Sequence, residues 1–445
     1  MNDFSNLPTS WQIKTLGEVC VSTNSNITFK NIQDKKGDYP IYGASGVVAY
    51  VDFYTKENQS LGIVKDGAGI GRVFLLPPKA SVIGTLHYVE NNDDLNLKYL
   101  FYFLQSINLA RYITGSAIPH IYFRDWKKEQ IPLPPLEIQK RIVARLESAF
   151  EKIEKGSAHL QNAKTKLAKY KQSLLKSAFD GTLFCHTEGE ARSISNQESR
   201  DISLTLNMTN SPSLRANEAS VAIHESKVDC HDLTSSNLAM TDKENPKLPQ
   251  GWTIKTLGEI GEIVTGSTPN TKNREYYGDE YPFYKPTDLN LGYCVENSSD
   301  MVSSKGFEIS RKLPSKSILV TCIGATIGKT GLIRNAGICN QQINAIIPKQ
   351  NICPEFVYFY CISNAMQELI KTNASATTLP ILNKTAFSKL PIPLPPLEIQ
   401  KQIVKLLEKH LQHANKTGEF IESALNKAKQ LKQSLLKSAF AGELV

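Results

Sequence analysis

Residues 131–140 read IPLPPLEIQK, and residues 392–401 read the same ten letters. Other stretches of the chain are also written twice. WQIKTLGEV at 11–19 returns as WTIKTLGEI at 252–260, KQSLLKSAF at 171–179 returns at 432–440, and GAGIGR at 67–72 is matched more loosely by GATIGK at 324–329. The pairs keep their order, so the chain is a duplication of one unit. Their offsets run 241, 257, 261 and 261, so the copies differ in length ahead of the decapeptide and not at all behind it. Loops tolerate insertions, whereas a stretch of fixed length behaves as a measured rod. Each unit is therefore expected to be a variable domain followed by a constant spacer.

The spacer carries the periodicity of a long helix. In the first copy, Ile142, Ala149, Gly156, Ala163, Tyr170 and Ser177 alternate with Leu146, Ile153, Leu160, Leu167 and Leu174 in heptad spacing. The second copy keeps the period with Ile403, His410, Thr417, Ala424, Leu431 and Ser438 against Leu407, Ala414, Ile421, Ala428 and Leu435. Pro134 and Pro135, like Pro395 and Pro396, suit an extended entry, and Gly181 and Gly442 suit C-terminal stops. A helix from 137 to 180 would be roughly 65 Å long at ~1.5 Å per residue. So narrow an apolar seam favours packing of the two helices on each other, antiparallel, over packing of each on its own domain.

These boundaries divide the chain into a first domain (1–131), a spacer helix region (132–185), a linker (186–246), a second domain (247–391) and a C-terminal spacer helix region (392–445). The linker is Ser/Asn-rich, without aromatics or sustained periodicity, and is expected to be flexible. It holds 5 basic and 10 acidic residues in a chain of net charge +8, so the remainder carries +13. That balance suits an anionic partner. The eight cysteines are scattered, with no CxxC pair and no His cluster at zinc spacing, which points to reduced thiols in the cytoplasm. No apolar run is long enough to span a bilayer, and no secretory signal opens the chain.

Motifs for chemistry fail on inspection. CIGATIGKTG at 322–331 resembles a phosphate-binding loop, but Gly324 and Gly328 enclose three residues where four are needed, and Ile323 stands where the first glycine belongs. GAGIGR has Arg72 at the last glycine of a dinucleotide fingerprint. Both are better read as one strand–turn–strand in two copies. Asp125-Trp126-Lys127 has an acid-x-Lys shape without the Pro-Asp of a nuclease set, and the Asn/Asp-Pro-Pro-aromatic tetrapeptide of an amino-methyltransferase is missing. The chain is expected not to be an enzyme by itself.

The duplicated layout, the IPLPPLEIQKRIV and IPLPPLEIQKQIV junctions, the GWTIKTLGEI opening, the stretch from GATIGKTGLI to NQQINAIIP and the SLLKSAF ends together resemble the specificity subunit of type I restriction-modification systems. The resemblance covers nearly the whole chain apart from the linker. It implies an α+β fold with two tandem α/β target recognition domains, separated by two long antiparallel spacer helices in a coiled coil, with a pseudo-two-fold internal repeat. It implies one half of a bipartite double-stranded DNA site per domain, two modification (methyltransferase) subunits and restriction subunits as partners, and no membrane. No cofactor is expected in this chain; S-adenosylmethionine, ATP and Mg are expected on the partners. The outer helix faces, and the repeated KQSLLKSAF ends, would dock two identical subunits. Packing within the helix pair is the other role those ends could have.

For DNA, Lys and Arg supply salt-sensitive phosphate contacts, and Arg, Asn, Gln or Thr read groove edges. Lys65, Arg72, His120, Tyr122 and Arg124 are the candidates in the first domain. Lys285, Thr321, Thr326, Lys329, Arg334, Asn340, Gln341 and Gln342 are the candidates in the second. A different class of function also accommodates the layout, a non-catalytic scaffold whose duplicated domains bind protein.

Overall fold

The computed structural model describes residues 7–115, 119–184, 248–375 and 379–444. The expected linker at 186–246, with Cys230 and the neighbouring Cys185, lies outside the described residues. The chain forms two compact units, Met1–Gln161 with Glu422–Val445, and Asn162–Ile421. Each contains one copy of the variable domain and a stretch of both long helices.

In the first unit, the tryptophan motif and the decapeptide meet as strands: Gln12–Thr15 pairs antiparallel with Gln130–Leu133. Beyond it lies an antiparallel sheet in the order Cys20–Asn24, Leu86–Asn91, Ser60–Val64, Val73–Leu76, and a three-stranded mixed sheet of Gly46–Val51, Tyr39–Gly43 and Ser81–Val82. The helix Leu97–Ser106 begins on Asn96, whose side chain accepts from the Lys98 and Tyr99 amides. It packs Tyr99, Leu100 and Phe103 into a core with Leu61, Ile63, Val89 and Trp126.

The second unit repeats this plan. Thr253–Thr256 pairs with Pro391–Leu394, and the antiparallel sheet runs Gly261–Thr265, Ile343–Pro348, Ile318–Thr321, Thr330–Leu332. A mixed three-stranded sheet again stands beside it. The repeated KTLGE explains one local identity. In both copies its threonine and glutamate form a capping box, Thr15 with Glu18 and Thr256 with Glu259. These hydrogen bonds from threonine hold both carboxyls below the usual carboxylate range.

The long helices span Leu136–Phe179 and Leu397–Phe440, 44 residues each, and Gly181 and Gly442 follow at positive φ as expected. A side chain on Gly181 would collide with Pro249, so the stop tolerates only glycine. Within each unit the helices run antiparallel. In the first, Lys432 meets Glu154 at 2.8 Å and Arg145 donates to the Leu444 carbonyl at 3.1 Å. In the second, Lys171 donates to Asn415 at 2.6 Å, while Leu167 lies beside Gly418. Ile142, Leu146, Leu160, Ile403, Leu407, Ala414 and Ile421 are buried as the heptads require. Leu431 departs from the seam and is exposed. Near that end the helix turns a neighbouring stripe, Leu436, Ala439 and Phe440, into the domain core instead.

The helices therefore do both things that the heptads left open. Their middles pack on each other, and their ends enter domain cores. Phe440 sits edge-on to Tyr99 and Phe103, each at 5.1 Å. Phe179 does the same with Phe356 and Tyr360, at 5.2 and 5.0 Å. The repeated KQSLLKSAF ends are anchors in these cores. Each domain thus receives the start of the helix that follows it and the end of the other.

The decapeptide's glutamine fixes this joint. Gln139 is buried, accepts from the Asn96 amide at 2.7 Å and donates to the Pro134 carbonyl at 2.9 Å. Gln400 accepts from the Cys353 amide at 2.9 Å and donates to the Pro395 carbonyl at 2.8 Å. One buried amide thus ties strand exit, helix start and the cap of the preceding helix. An apolar residue in its place would leave backbone groups unpaired.

Candidate nucleic-acid interface

The two glycine motifs form the same loop. In the first copy, Gly71 N–H donates to the Val64 carbonyl (2.9 Å), Arg72 to Gly69 (3.1 Å) and Val64 to Arg72 (3.0 Å). In the second, Gly328 donates to Thr321 (2.8 Å), Lys329 to Thr326 (3.1 Å) and Thr321 to Lys329 (2.8 Å). Gly67, Gly71, Gly324 and Gly328 all hold positive φ, which lets the chain reverse tightly. The strand–turn–strand expectation holds, since Ile318–Thr321 and Thr330–Leu332 are paired strands.

A second segment lies against each loop through matching backbone bridges. Asp66 pairs with His120 and Thr114 with His120 in the first copy; Ile323 pairs with Ile381 in the second. The Ile121 amide donates to the Lys65 carbonyl at 2.9 Å, and the Leu382 amide to the Cys322 carbonyl at 2.8 Å. The backbone frame is shared, and the side chains on it are not.

On the first frame the chemistry is ionic and aromatic. His120 Nδ1 and Asp66 Oδ1 are 2.6 Å apart, and Lys65 Nζ donates to Asp66 Oδ2 at 2.8 Å. Burial alone would raise the Asp66 carboxyl, but hydrogen bonds from His120 and Lys65 outweigh it and hold the group below its usual range. The His120 ring lies over Tyr122, 6.2 Å between centroids, and the Arg124 guanidinium lies 4.7 Å from the centroid of the same Tyr122 ring. Tyr122 is 44% exposed, and the Arg124 side chain 75%. Arg72 turns back to donate to the Ala44 carbonyl at 2.6 Å. Four of the five candidates, Lys65, His120, Tyr122 and Arg124, thus form one cluster around Asp66.

On the second frame the chemistry is amide and apolar. Asn340 Nδ2 donates to Gln342 Oε1 at 2.9 Å, and Thr268 Oγ1 donates to Gln341 Oε1 at 2.6 Å. Thr326 is exposed on the loop and Lys329 half-buried at its end. Leu379 and Ile381 are 53% and 42% exposed on the facing segment.

Three second-domain candidates are taken up within the domain itself. Thr321 is fully buried, because its position on the strand turns its side chain into the sheet; it presents nothing to a ligand. Arg334 is held by the Tyr293 carbonyl at 2.9 Å, lies 4.9 Å over the Tyr293 ring and faces Glu355, so it braces the domain. Lys285 is paired with Asp300 at 2.7 Å, next to Tyr284, whose carbonyl accepts from the Asn340 amide at 3.2 Å. Asp66, Thr268, Leu379 and Ile381 were not among the candidates. Aligning the copies through the glycine loop pairs Asp66 with Ile323, and aligning them through the decapeptide pairs His120 with Ile381.

Beneath each frame sits a buried polar residue at an equivalent strand position. Asn344 accepts from Thr265 Oγ1 at 2.7 Å and reaches the Leu382 carbonyl at 3.4 Å. His87 takes its place in the first copy, 5.8 Å from the Trp126 ring, with Nε2 unpartnered among the described residues. Burial pushes the His87 imidazole down to about 4, so it is neutral near pH 7. Burial also pushes the Cys20, Cys322 and Cys339 thiols up to about 12, which leaves them as protonated packing groups. No group of His, Cys, Asp and Glu that could hold a metal ion occurs among the described residues. No described helix is long and apolar enough to cross a membrane.

A family model described as the type I restriction modification DNA specificity domain matches residues 8–161 and again 249–426. The chain is 29% identical over 354 residues to the type I restriction enzyme HindI specificity subunit of Haemophilus influenzae, covering 73% of this chain and 74% of that one. It is 22% identical over 448 residues to the EcoDI specificity subunit of Escherichia coli, covering 98% and 89%. Among solved structures, a chain from a study of complex assembly and conformational transition of the type I R-M system superposes with TM-score 0.69 at 19% identity, covering 98% and 99%. The HsdS subunit of Thermoanaerobacter tengcongensis gives 0.51 at 19% identity, covering 98% of each chain.

Proposed function

The chain belongs to the type I restriction-modification DNA specificity family, whose model matches it twice, and from that premise we propose that it is the specificity subunit of such a complex, each domain reading one half of a bipartite DNA site. The observation that carries this reading is the pair of glycine loops, alike in backbone hydrogen bonds and unlike in exposed side chains. Two readers built on one frame, with different contacts, suit two different half-sites. The scaffold alternative gives no reason for one shared loop frame to carry ionic and aromatic groups in one copy and amides in the other.

Recognition follows from the chemistry on each frame. In the first domain Arg124 and Lys65 supply positive charge beside Tyr122 and His120, for phosphate contact and for acceptors at base edges. In the second, Lys329 supplies charge while Gln341, Gln342 and Thr326 supply donors and acceptors, with Asn340 orienting Gln342. The long helices set the separation of half-sites, as half-site spacing follows protein geometry in other two-fold readers. The chain supplies recognition, and partner subunits supply the chemistry. S-adenosylmethionine belongs on two modification subunits, and ATP with Mg on restriction subunits.

Methylome sequencing of a host with and without this gene tests the reading, together with footprinting by the chain loaded with its modification partner. One bipartite sequence, methylated only when the gene is present and protected in both halves, is expected. Methylation that does not depend on the gene, or protection of a single uninterrupted site, would refute it.

A further inference from the structure

The second frame places an amide and an apolar side chain on either side of one glycine. A methyl group placed on Gly324 would lie 3.7 Å from Gln342 Nε2 and 3.8 Å from Leu379 Cδ1. Gly324 itself has positive φ, so the loop backbone stays low between the two side chains. Asn340 fixes the amide: its Nδ2 donates to Gln342 Oε1 at 2.9 Å, and its Oδ1 accepts from the Gln342 backbone amide at 3.2 Å. Gln342 Oε1 retains a second lone pair, and Nε2 has no protein partner among the described residues. Leu379 is 53% exposed, an apolar group where a phosphate-binding surface has no use for one.

The first frame lacks the amide. Around Gly67 no atom of the described residues approaches within 4 Å of the same point, and the residues equivalent to Asn340 and Gln342 are Ile83 and Thr85. The oriented amide is therefore a property of the second domain alone.

An oriented amide matches the edge of adenine, which accepts at N7 and donates at N6, and an apolar group matches the 5-methyl of thymine. In the major groove those two features belong to one base pair. We propose that Gln342 and Leu379, set by Asn340 and separated by Gly324, read an A·T pair in the second domain's half-site, Gln342 taking the adenine edge and Leu379 the thymine methyl. This rests on the recognition role assigned above and specifies its substrate. Gln342 and Leu379 contact the base pair, and Asn340 is a positioning residue.

The test uses the chain in complex with its modification partner and the bipartite site found by methylome sequencing. Duplexes carry 7-deaza-deoxyadenosine or deoxyuridine at each A or T, one position at a time, in both halves. One pair in one half-site is expected to lose affinity with either analogue, within the roughly 5- to 150-fold range of a bidentate base contact for the adenine edge. Gln342→Ala should abolish the penalty of 7-deaza-deoxyadenosine at that pair, and Leu379→Ala the penalty of deoxyuridine. Asn340→Ala should reduce discrimination at that pair while leaving binding to non-specific DNA unchanged. Tolerance of both analogues throughout the affected half-site would overturn the proposal. So would a Leu379→Ala chain that loses its modification partner yet keeps deoxyuridine sensitivity, because Leu379 would then be a protein contact. If a variant fails to fold, the analogue scan on the unaltered protein still decides. Absence of any bipartite site is a different failure, that of the recognition role itself.

Discussion

The two glycine loops share three backbone hydrogen bonds each and the same bridged neighbour segment, yet one carries His120, Asp66 and Tyr122 where the other carries Ile381, Ile323 and Asn383. The comparison separates what the frame needs from what a ligand needs. Positive-φ glycines, strand ends and the buried position filled by His87 or Asn344 recur because the backbone must reverse there. Charge, rings, amides and exposed methyls vary freely, because nothing in the domain's own core depends on them. A surface that folds identically while its chemistry changes is suited to reading different ligands.

The common frame can be attacked at its anchors, where the largest effects are expected. Phe440→Ala and Phe179→Ala each empty an aromatic slot in a domain core, and each should cost about 3–5 kcal/mol, as Phe→Ala core truncations do. Denaturant unfolding with hydrogen exchange should place the two losses in different units and at similar size. A large loss at one and none at the other would break the equivalence.

The buried position beneath the loops should set the copies apart in acid. His87 titrates at about 4 when folded and near 6.5 when unfolded, so between those values the unfolded chain binds more protons. Stability of the first unit should therefore fall as pH drops from 6.5 to 4, by about 3 kcal/mol from this group. His87→Asn, which copies Asn344, should remove that slope. Calorimetry of the two proteins across this range checks it, and an identical slope in both would contradict it.

The joint should cost less. Gln139→Leu and Gln400→Leu each strand buried backbone partners, with an expected loss of about 1–3 kcal/mol and comparable values in the two copies. Thermal unfolding measures both. The smallest effects belong to the variable side chains: Arg124→Ala and Lys329→Ala should each weaken binding by about 1 kcal/mol and lower the salt slope by about 1 if the contact is to phosphate. Neither should alter the unfolding midpoint, and a shifted midpoint would mean that these residues serve the frame.

Much of the frame was legible because it is written twice. The decapeptide, the tryptophan motif and the heptads located the strands, the joint and both helices to within a residue or two. What Phe179 and Phe440 do was not legible. Their repeats lie within the heptad pattern, and only the antiparallel return of the chain reveals that each ends in a domain core. The loops were found through their glycines, but the burial of Thr321 was not legible because residue type does not show which way a strand side chain turns, and the hold of Tyr293 and Glu355 on Arg334 depends on contacts distant in sequence. Leu379 and Ile381 escaped notice since apolar residues give no sequence signal of exposure. Asp66 escaped because a carboxylate is an unexpected member of a DNA-facing cluster until its partners, Lys65 and His120, are seen.

The recognition role proposed above implies that paired helices of fixed length space two readers built on one frame. Its most direct test inserts seven residues at matched levels of both helices, beside the Glu154–Lys432 ion pair, and sequences the methylome that results. Both helices must be lengthened together, because the end of each is anchored in the domain that begins the other. One heptad adds about 10.5 Å of helix, or roughly 3 base pairs of duplex. The expected result is the same two half-sites with a spacer longer by about that amount. The same half-sites at an unchanged spacing would contradict the claim.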